Sequence, residues 1–288
     1  MRPPSLDKYN PFNHEPMTTQ NLLFKNAVEI LNMEDGLYRK IDAISQSAVK
    51  QLCKSPAHYQ HYISEPKEET DAMLLGTATH LAVFQPQHFS NEVIMMPKFD
   101  RRTKEGKLGH EQFVADNGNK IALTQDQYAQ CIGMAEAVRS SPSFLKYTAV
   151  GNPEVTITAD TLYDNVKAKG RLDWVNHEER VIIDLKTTSE TANIYGIKSA
   201  IRKGGYDIQA LYYIYLMKAL KPDFEYRFVF CFVEKEAPYG VRLVEIIPSD
   251  LLFNVLPKVN ASLETLSECL TNNVWPSYKD GITYIDIV

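Results

Sequence analysis

The sequence predicts an α/β fold in which a mixed central sheet is flanked by helices. Three strand-like runs follow one another in the middle of the chain, and helical segments precede and follow them. The predicted order is helices, three strands, a helix, two strands and a helix. With 288 residues and 44% hydrophobic residues, the chain can bury one substantial core, and we expect one main domain.

Two helices are predicted to follow a less regular N-terminal segment. Residues 1–40 hold several prolines and one weakly amphipathic stretch, so we expect an N-terminal arm or extension there and the main domain over residues 41–288. A helix that starts at Ser45 or Ser47 and stops before Pro56 opens this domain. A second short helix follows the proline.

The segment before the strands alternates between apolar and charged stretches. Residues 73–84 are apolar and include small side chains, which is typical of a buried helix that another backbone approaches closely. Residues 97–120 are rich in charge and glycine, which predicts a long loop or a frayed helix. Helical spacing returns over residues 121–140.

The middle of the chain predicts an antiparallel meander. Strand-like runs cover residues 153–160, 166–175 and 181–187, with turn signals at residues 163–165 and 176–177. Alternating apolar residues between turn signals are typical of strands that pair with their neighbours in sequence.

The C-terminal part of the chain predicts further elements of the same fold. A helix is expected over residues 207–220, and a closing helix over residues 249–272. Between them, strands are expected over residues 226–234 and 241–247, on either side of a turn.

Composition excludes some classes of protein. No apolar run approaches the roughly 20 residues of a membrane helix, and the first residues lack the apolar core of a signal peptide, so we expect a cytoplasmic protein without a membrane partner. The four cysteines are far apart with no C-x-x-C pair, which argues against a compact zinc ribbon. A net charge of −5 is unexpected for a protein that binds DNA mainly through bulk charge, but a nuclease with a cluster of carboxylates can carry it, so net charge alone decides nothing.

The pair Asp184 and Lys186 is the first candidate for chemistry. Residues two apart on a strand point to the same face, so the carboxylate and the ammonium emerge side by side. A D-x-K pattern arises about once by chance in a chain of this length, and the related E-x-K occurs at residues 65–67 and 105–107. Only the pair at 184 and 186 lies on an apolar strand, where two exposed charges are unusual and indicate a functional role.

Asp173 adds a second carboxylate just before the turn that leads to Asp184. We expect Leu172 and Trp174 to face the core, which turns Asp173 to the other side of the sheet. If the two strands pair, both carboxylates can reach one ion, and oxygen ligands at close range favour Mg²⁺. Two solvated carboxylates beside a hairpin would show the same pattern.

Four further residues can complete a site. Glu154 lies on the preceding strand and can be a ligand or hold a metal-bound water. Gln209 and Tyr213 lie four apart on one helical face and can contact a phosphate or a base, although this pattern is more often plain helix surface. His80 lies in an apolar helix, where a packed core histidine is the commoner case; as a metal ligand it would supply a neutral imidazole nitrogen.

Together, and in this order, the motifs resemble a known family. G-T-A-T-H with His80, a glutamate after proline, G-R-L-D, I-D-L-K-T-T and Q-A-L-Y-Y follow one another as in the RecB-type nucleases of the PD-(D/E)xK superfamily. The resemblance is to the C-terminal nuclease domain of the RecE (exonuclease VIII) family and its prophage relatives, over about residues 40–250. It implies a restriction-endonuclease-like core with a mixed central sheet flanked by helices for residues 41–288.

The resemblance implies a metal centre and a lysine beside it. His80, Asp173 and Asp184 match positions that hold Mg²⁺, for which Mn²⁺ can substitute. The backbone carbonyl of Leu185 is expected as a further ligand. Lys186 matches the lysine that orients or deprotonates the attacking water and stabilises the charged phosphorane.

The resemblance also implies contacts with DNA. Glu154 matches the acidic residue before the hairpin, and Gln209 and Tyr213 match the motif that helps position the DNA strand. We expect the densest basic run to grip backbone phosphates, although a solvated loop would carry the same charges. This run consists of Arg101, Arg102, Lys104 and Lys107.

An activity and partners follow from the same resemblance. It implies ATP-independent 5′-to-3′ degradation of linear double-stranded DNA, which leaves a 3′ single strand, in the cytoplasm of a bacterial host. It further implies a single-strand annealing protein of the RecT type as partner, and a ring-shaped homo-oligomer such as a tetramer.

Two alternatives stay open on the sequence alone. A repair or CRISPR-adaptation nuclease of the same superfamily often holds an iron–sulfur cluster through four cysteines, three of them near the C-terminus, where this chain has Cys269 alone. A catalytically silent DNA-end-binding protein on the same fold typically loses one residue of the acidic and lysine set, which is complete here. A colourless preparation would disfavour the iron–sulfur nuclease. Mg²⁺-dependent digestion of a duplex would disfavour the catalytically silent protein.

Overall fold

The strands of this computed structural model form one large sheet and one small one; the structure describes residues 23–65, 69–278, 280–282 and 284. The eight strands are β1 (Phe24–Ile30), β2 (Val93–Met95), β3 (Ile121–Leu123), β4 (Asn152–Thr161), β5 (Lys167–Asn176), β6 (Val181–Thr188), β7 (Arg227–Glu234) and β8 (Val241–Glu245). The large sheet has the order β1-β4-β5-β6-β7-β8, and β2 pairs with β3 in the small one.

Helices surround the large sheet and supply most of its packing. They are α1 (Asp35–Lys40), α2 (Gln46–Leu52), α3 (Pro56–Ser64), α4 (Asp71–Phe84), α5 (Pro86–Glu92), α6 (Lys104–Asn117), α7 (Gln125–Arg139), α8 (Pro142–Thr148), α9 (Ile194–Gly204), α10 (Tyr206–Leu220), α11 (Pro248–Asp250) and α12 (Leu256–Asn272), the last two joined by a π-helical turn (Leu251–Val255). Within the described residues, every helix is too short or too polar to cross a membrane.

The large sheet is mixed, as the sequence predicts. Strands β4, β5 and β6 form the expected antiparallel meander. Strands β6 and β7 are parallel, and β8 returns antiparallel to β7. A parallel pair requires a crossover connection, and α9 and α10 provide it between β6 and β7.

Apolar cores lie on both faces of the sheet. On β6, Ile182 packs into a core formed with α2, α10 and α12. Ile183 and Leu185 pack on the opposite side, in a core formed with α4 and α7. Since both faces are covered, a charged side chain on β6 is buried unless a gap opens in the sheet or its helical cover.

The predicted N-terminal arm or extension over residues 1–40 contains secondary structure in the part that the structure describes. Residues Phe24–Ile30 form β1, which pairs antiparallel with β4 and gives the sheet its edge strand. The sequence has no clean alternation there because the pairing carries an irregularity between Lys25 and Val28. The first 22 residues of the predicted arm lie outside the described residues.

Two other segments differ from their predictions. Residues 97–120, expected to be a loop or a frayed helix, contain α6, whose N-terminus is capped by the Thr103 hydroxyl accepting from the Gly106 N–H. The helical spacing predicted over residues 121–140 begins with the strand β3, and α7 follows after a capping box at Thr124. Capping interactions rather than apolar periodicity set both helix starts.

Candidate active site

The candidate site lies where β5 and β6 separate. Their ladder pairs Trp174 with Ile183 and runs from this pair to the turn, on the side away from Asp173 and Asp184. The Asp173 carboxylate instead accepts a hydrogen bond of 2.9 Å from the backbone N–H of Leu185. A side chain thus takes the place of a ladder partner, and the fork brings the two carboxylates into one electrostatic environment.

The backbone at the fork is irregular, which corrects one sequence expectation. Leu172 and Trp174 are expected to face the same core, but Leu172 packs on the α10 side whereas Trp174 stacks on Phe84 on the α4 side. Across the sheet, Glu154 has a φ of 51°, a left-handed conformation that is uncommon for a residue with a side chain. Such outliers cluster at functional sites.

One half of the site is a group of potential metal ligands that we call the carboxylate cluster: His80 from α4, Glu154 from β4 and Asp173 from β5. Each offers a ligand atom, and these atoms all lie within 4.8 Å of one another. The Nδ1 atom of His80 is 3.2 Å from Oδ2 of Asp173. A helix and two neighbouring strands therefore bring one side chain each to the same point.

The carboxylate cluster holds two carboxylates but a single imidazole. Burial, followed by the negative charge of Asp173, raises the pKa of Glu154 to about 7. Burial alone would lower the pKa of His80, but the adjacent Asp173 carboxylate outweighs it and raises that pKa. Two carboxylates that resist simultaneous ionisation fit a divalent cation, which would neutralise both, and the oxygen-rich donor set suits Mg²⁺ or Mn²⁺.

The other half, which we call the lysine pocket, comprises Asp184, Lys186 and Gln209. The Lys186 ammonium lies 2.6 Å from Oδ2 of Asp184, and the Gln209 side-chain amide donates to Oδ1 of Asp184 at 2.5 Å. The side chain of Asp184 is only 2% exposed. Both its oxygens are therefore engaged by groups of the protein, and the i to i+2 spacing places the lysine as predicted.

Electrostatics hold this pair together in a buried setting. Burial raises the pKa of Asp184 to about 6, against the opposing effect of Lys186. Burial also tends to lower the pKa of Lys186, but the Asp184 and Asp173 carboxylates outweigh it, and that pKa lies above its ordinary value. The two carboxylates therefore favour the ammonium form of Lys186.

Two further predicted site residues, Tyr213 and Leu185, lie close to these two groups. Tyr213 lies on α10, one turn after Gln209, with its ring against Gly170. Burial, and the charges of nearby groups that include Asp184, raise its pKa well above 10, so its hydroxyl stays protonated. Leu185 buries its side chain in the core on the α4 side. A metal contact from its carbonyl stays a prediction.

The predicted metal set and the observed cluster differ in one member. The structure groups Glu154 with His80 and Asp173, whereas Asp184 contacts Lys186 and Gln209. A ligand role for Asp184 stays a prediction, because its contact with Lys186 would have to give way to an ion. The geometry favours Glu154 over Asp184 as the third side-chain ligand.

The predicted basic run lies on an exposed surface, and its contact with DNA stays a prediction. All four side chains are exposed, at the start of α6 or just before it. Arg102 is partly neutralised by Asp100, to which its Nε donates at 2.9 Å and its Nη2 at 3.2 Å. Within the described residues, the other three members, Arg101, Lys104 and Lys107, form no ion pair.

The structure also brings residues to the site that the sequence did not indicate. Arg171 is 3.9 Å from Glu154 and forms a 2.9 Å ion pair with Asp35 of α1. On the other side, the ring of Tyr206 lies under the ammonium groups of Lys186 and Lys50. The position of Arg171, two residues before Asp173 in the same strand, is a sequence signal for its place at the site. No motif near Lys50 or Asp35 indicates that either residue approaches the site.

Comparison with solved structures shows the fold. The chain is similar to a candidate exonuclease from Eubacterium rectale, with a TM-score of 0.60, 15% identity, and coverage of 90% of this chain and 97% of that one. A phage-related exonuclease from Haemophilus somnus matches with a TM-score of 0.36, 14% identity, and coverage of 81% and 96%. The second likeness is too weak to carry an argument. No protein with a curated description matches the sequence.

Comparison with family models gives the classification. A model described as a PDDEXK-like domain of unknown function (DUF3799) matches residues 45–287. The match contains every residue of the carboxylate cluster and of the lysine pocket. The mixed sheet, the strand fork and the D-x-K pair agree with the restriction-endonuclease-like architecture expected from the sequence. The chain belongs to this PDDEXK-like family.

Proposed function

We propose that this protein is a Mg²⁺-dependent exodeoxyribonuclease that degrades linear double-stranded DNA from 5′ to 3′ without ATP and leaves 3′ single-stranded overhangs. The observation that carries the proposal is the fork between β5 and β6. There, Asp173 lies with His80 and Glu154 in the carboxylate cluster, and on the neighbouring strand Asp184 pairs with Lys186. The name of the similar Eubacterium rectale protein, a candidate exonuclease, is in keeping with this.

The carboxylate cluster would hold the metal ion. Its ligands would be His80, Glu154 and Asp173, with Asp184 and the Leu185 carbonyl as further candidates. A bound divalent ion lowers the pKa of a water molecule and neutralises charge on a phosphoryl group. The 2.9 Å hydrogen bond from the Leu185 N–H keeps Asp173 oriented within the fork.

The lysine pocket would serve the reacting phosphodiester. Lys186 is an ammonium on a rigid strand, positioned to orient a water molecule or to stabilise negative charge that develops on the phosphate. Gln209 holds the carboxylate of Asp184 through one oxygen, which fixes the partner of Lys186. Tyr213 offers a protonated hydroxyl one helical turn further on for a contact with the DNA strand.

The proposed cellular context rests on the sequence resemblance. We place the activity in the cytoplasm of a bacterial host, in annealing-type recombination of phage origin. A RecT-type annealing protein would receive the 3′ strand, and a ring-shaped homo-oligomer, such as a tetramer, would enclose the duplex.

A time course on linear duplexes labelled at either the 5′ or the 3′ end tests the proposal. With Mg²⁺, a 5′ label should be released early as small products, whereas a 3′ label should stay on long strands until late. Digestion should stop with EDTA and in the Asp184→Asn variant. A closed circular duplex is the control for exonuclease action and should stay intact.

Each outcome has a distinct meaning. Early release of the 3′ label would reverse the proposed polarity. Cleavage of the circle would make the enzyme an endonuclease. A wild-type protein that binds the duplex ends and leaves them intact in Mg²⁺ and in Mn²⁺ would support the catalytically silent alternative instead.

A further inference from the structure

A second lysine reaches the lysine pocket from a different part of the fold. The stem of Lys50, on α2, runs across Gly205, where a Cβ atom would lie 3.4 Å from its Cγ and Cδ atoms. Its ammonium nitrogen is 5.2 Å from the centroid of the Tyr206 ring, and that of Lys186 is 4.7 Å from the same centroid. One aromatic ring therefore carries two ammonium groups, one of them from the D-x-K pair.

Among the residues that the structure describes, Lys50 has no ion-pair partner. Within the part of the chain that the structure describes, its ammonium forms no ion pair and no hydrogen bond. Asp184 and Asp207 act on it only from a distance. Burial and the positive charge of Lys186 lower the pKa of Lys50 to about 8. The protein thus holds an ammonium in an unfavourable place, which costs stability.

Lys169 is a buried lysine with a structural role and serves as a comparison for Lys50. Its ammonium also lies over a tyrosine ring, that of Tyr38, at 5.0 Å. However, it donates hydrogen bonds to the backbone carbonyls of Ile41 at 2.7 Å and Tyr38 at 3.1 Å. Those carbonyls compensate for its burial, and Lys50 has no such compensation among the residues that the structure describes.

An anion in contact with Lys50 would remove this penalty. Non-bridging phosphate oxygens are the anions that a nucleic acid strand would bring to this site, and lysine binds them as a compact point charge. We propose that Lys50 binds a backbone phosphate of the DNA strand adjacent to the phosphate at Lys186, and so positions the strand for cleavage. This inference rests on the proposed function.

Kinetics of the Lys50→Gln variant test this role. On a linear duplex with Mg²⁺, KM should rise about tenfold, the loss expected for one hydrogen bond to a charged group. The kcat should change much less, because Lys186 and the carboxylate cluster are intact. Lys50→Arg keeps the charge and should restore most of the affinity. Lys54→Gln, an equal charge change at an exposed position just beyond α2, is the matched control and should behave as wild type.

Two measurements separate a binding role from a structural one. In EDTA, the slope of log affinity against log salt for a linear duplex should become shallower by roughly 0.9 in Lys50→Gln, the value expected when one fewer phosphate is neutralised. The melting temperature of the DNA-free variant should equal or exceed that of wild type, because an uncompensated charge is removed. A residue needed for folding would show the opposite.

The outcomes distinguish this inference from the proposed function. If wild type digests the duplex and Lys50→Gln has the same KM and salt slope, the role of Lys50 is refuted while the nuclease proposal stands. A lowered melting temperature together with equal losses in the Lys50→Gln and Lys50→Arg variants also refutes it. If wild type neither binds nor digests a duplex, both proposals fall.

Discussion

The two halves of the site solve the problem of buried charge in different ways. In the lysine pocket, both oxygens of Asp184 are engaged, one by the Lys186 ammonium and one by the Gln209 amide. In the carboxylate cluster, Glu154 and Asp173 share the nearby imidazole of His80, and the pKa of Glu154 rises to about 7. The lysine pocket therefore sets one carboxylate against one ammonium, whereas the carboxylate cluster holds two carboxylates beside one imidazole, with the Arg171 guanidinium 3.9 Å from Glu154.

This difference indicates where a metal ion would act. A divalent cation would relieve the repulsion between Glu154 and Asp173, and it would compete with an existing ion pair at Asp184. We therefore expect substitutions in the carboxylate cluster to lower activity by weakening metal binding. Substitutions in the lysine pocket should instead slow the chemical step. The predictions below separate these two kinds of loss, beginning with the largest expected effect.

The Asp173→Asn variant should lose the most activity, about 1000-fold or more in kcat/KM, because metal catalysis contributes several kcal/mol. Asparagine keeps the shape of the side chain but lacks the charge that pairs with His80 and would attract the ion. Initial rates on a linear duplex at saturating Mg²⁺ measure the loss. Asp164→Asn, at an exposed turn, is the control, and equal rates for the two variants would contradict the assignment.

The Lys186→Gln variant should lower kcat about 100-fold or more, as for removal of a general acid–base or electrostatic catalyst. Its affinity for Mn²⁺ should be unchanged or higher, because a positive charge near the carboxylates is gone. Isothermal titration calorimetry and single-turnover kinetics on the same preparation give both values. A large loss of metal affinity with little change in the rate of the chemical step would contradict the assignment of Lys186 to the chemical step.

The pH dependence of stability should reveal the raised pKa of Glu154. Its folded-state pKa is about 7 against an ordinary value of 4.5, so the folded protein binds the proton more tightly than the unfolded chain does. The free energy of unfolding then falls as pH rises between these two values, and the loss is complete above pH 7.

Chemical denaturation in EDTA at several pH values tests this expectation. Relative to wild type, Glu154→Gln should gain stability as pH rises from about 5 to about 8, since glutamine resembles the protonated acid at every pH. Added Mg²⁺ should stabilise wild type more than the variant at pH 8. A stability difference that does not change with pH would refute the raised pKa.

The smallest effect is expected at the exposed basic surface. Each phosphate that the protein no longer neutralises should flatten the slope of log affinity against log salt by roughly 0.9. Replacement of Arg101, Lys104 and Lys107 by glutamine should therefore flatten it measurably, with little change in kcat. The Arg102→Gln single variant should do less, because Asp100 already offsets its charge. An unchanged slope in the triple variant would remove this surface from the DNA-binding model.

The elements that the sequence predicts well have strong local signals. The meander β4-β5-β6 alternates clearly between turns, and α10 has regular apolar spacing, so their bounds are within about two residues of the prediction. The D-x-K pair on β6 is identifiable because two charges on an apolar strand are unusual. Strand pairing then makes Asp173 the natural second carboxylate.

The features that escape prediction depend on contacts between distant segments. Strand β1 is recognisable only through its partner β4, because its own pattern is irregular. Lys50 reaches the site through the packing of α2 against the α9–α10 junction, which spacing cannot reveal. The prediction for the face of Trp174 is wrong because strict alternation fails at the fork, where a side chain replaces a ladder hydrogen bond.

Binding of Mn²⁺ to the DNA-free protein, followed by the electron paramagnetic resonance signal of the free ion, tests the central claim most directly. The wild-type protein should remove Mn²⁺ from solution, and Mg²⁺ should compete for the same site. Asp173→Asn and Glu154→Gln should lose this binding, whereas Lys186→Gln should keep it. A wild type that binds no Mn²⁺, or an Asp173→Asn variant that binds it as tightly, would contradict a metal centre in the fork between β5 and β6.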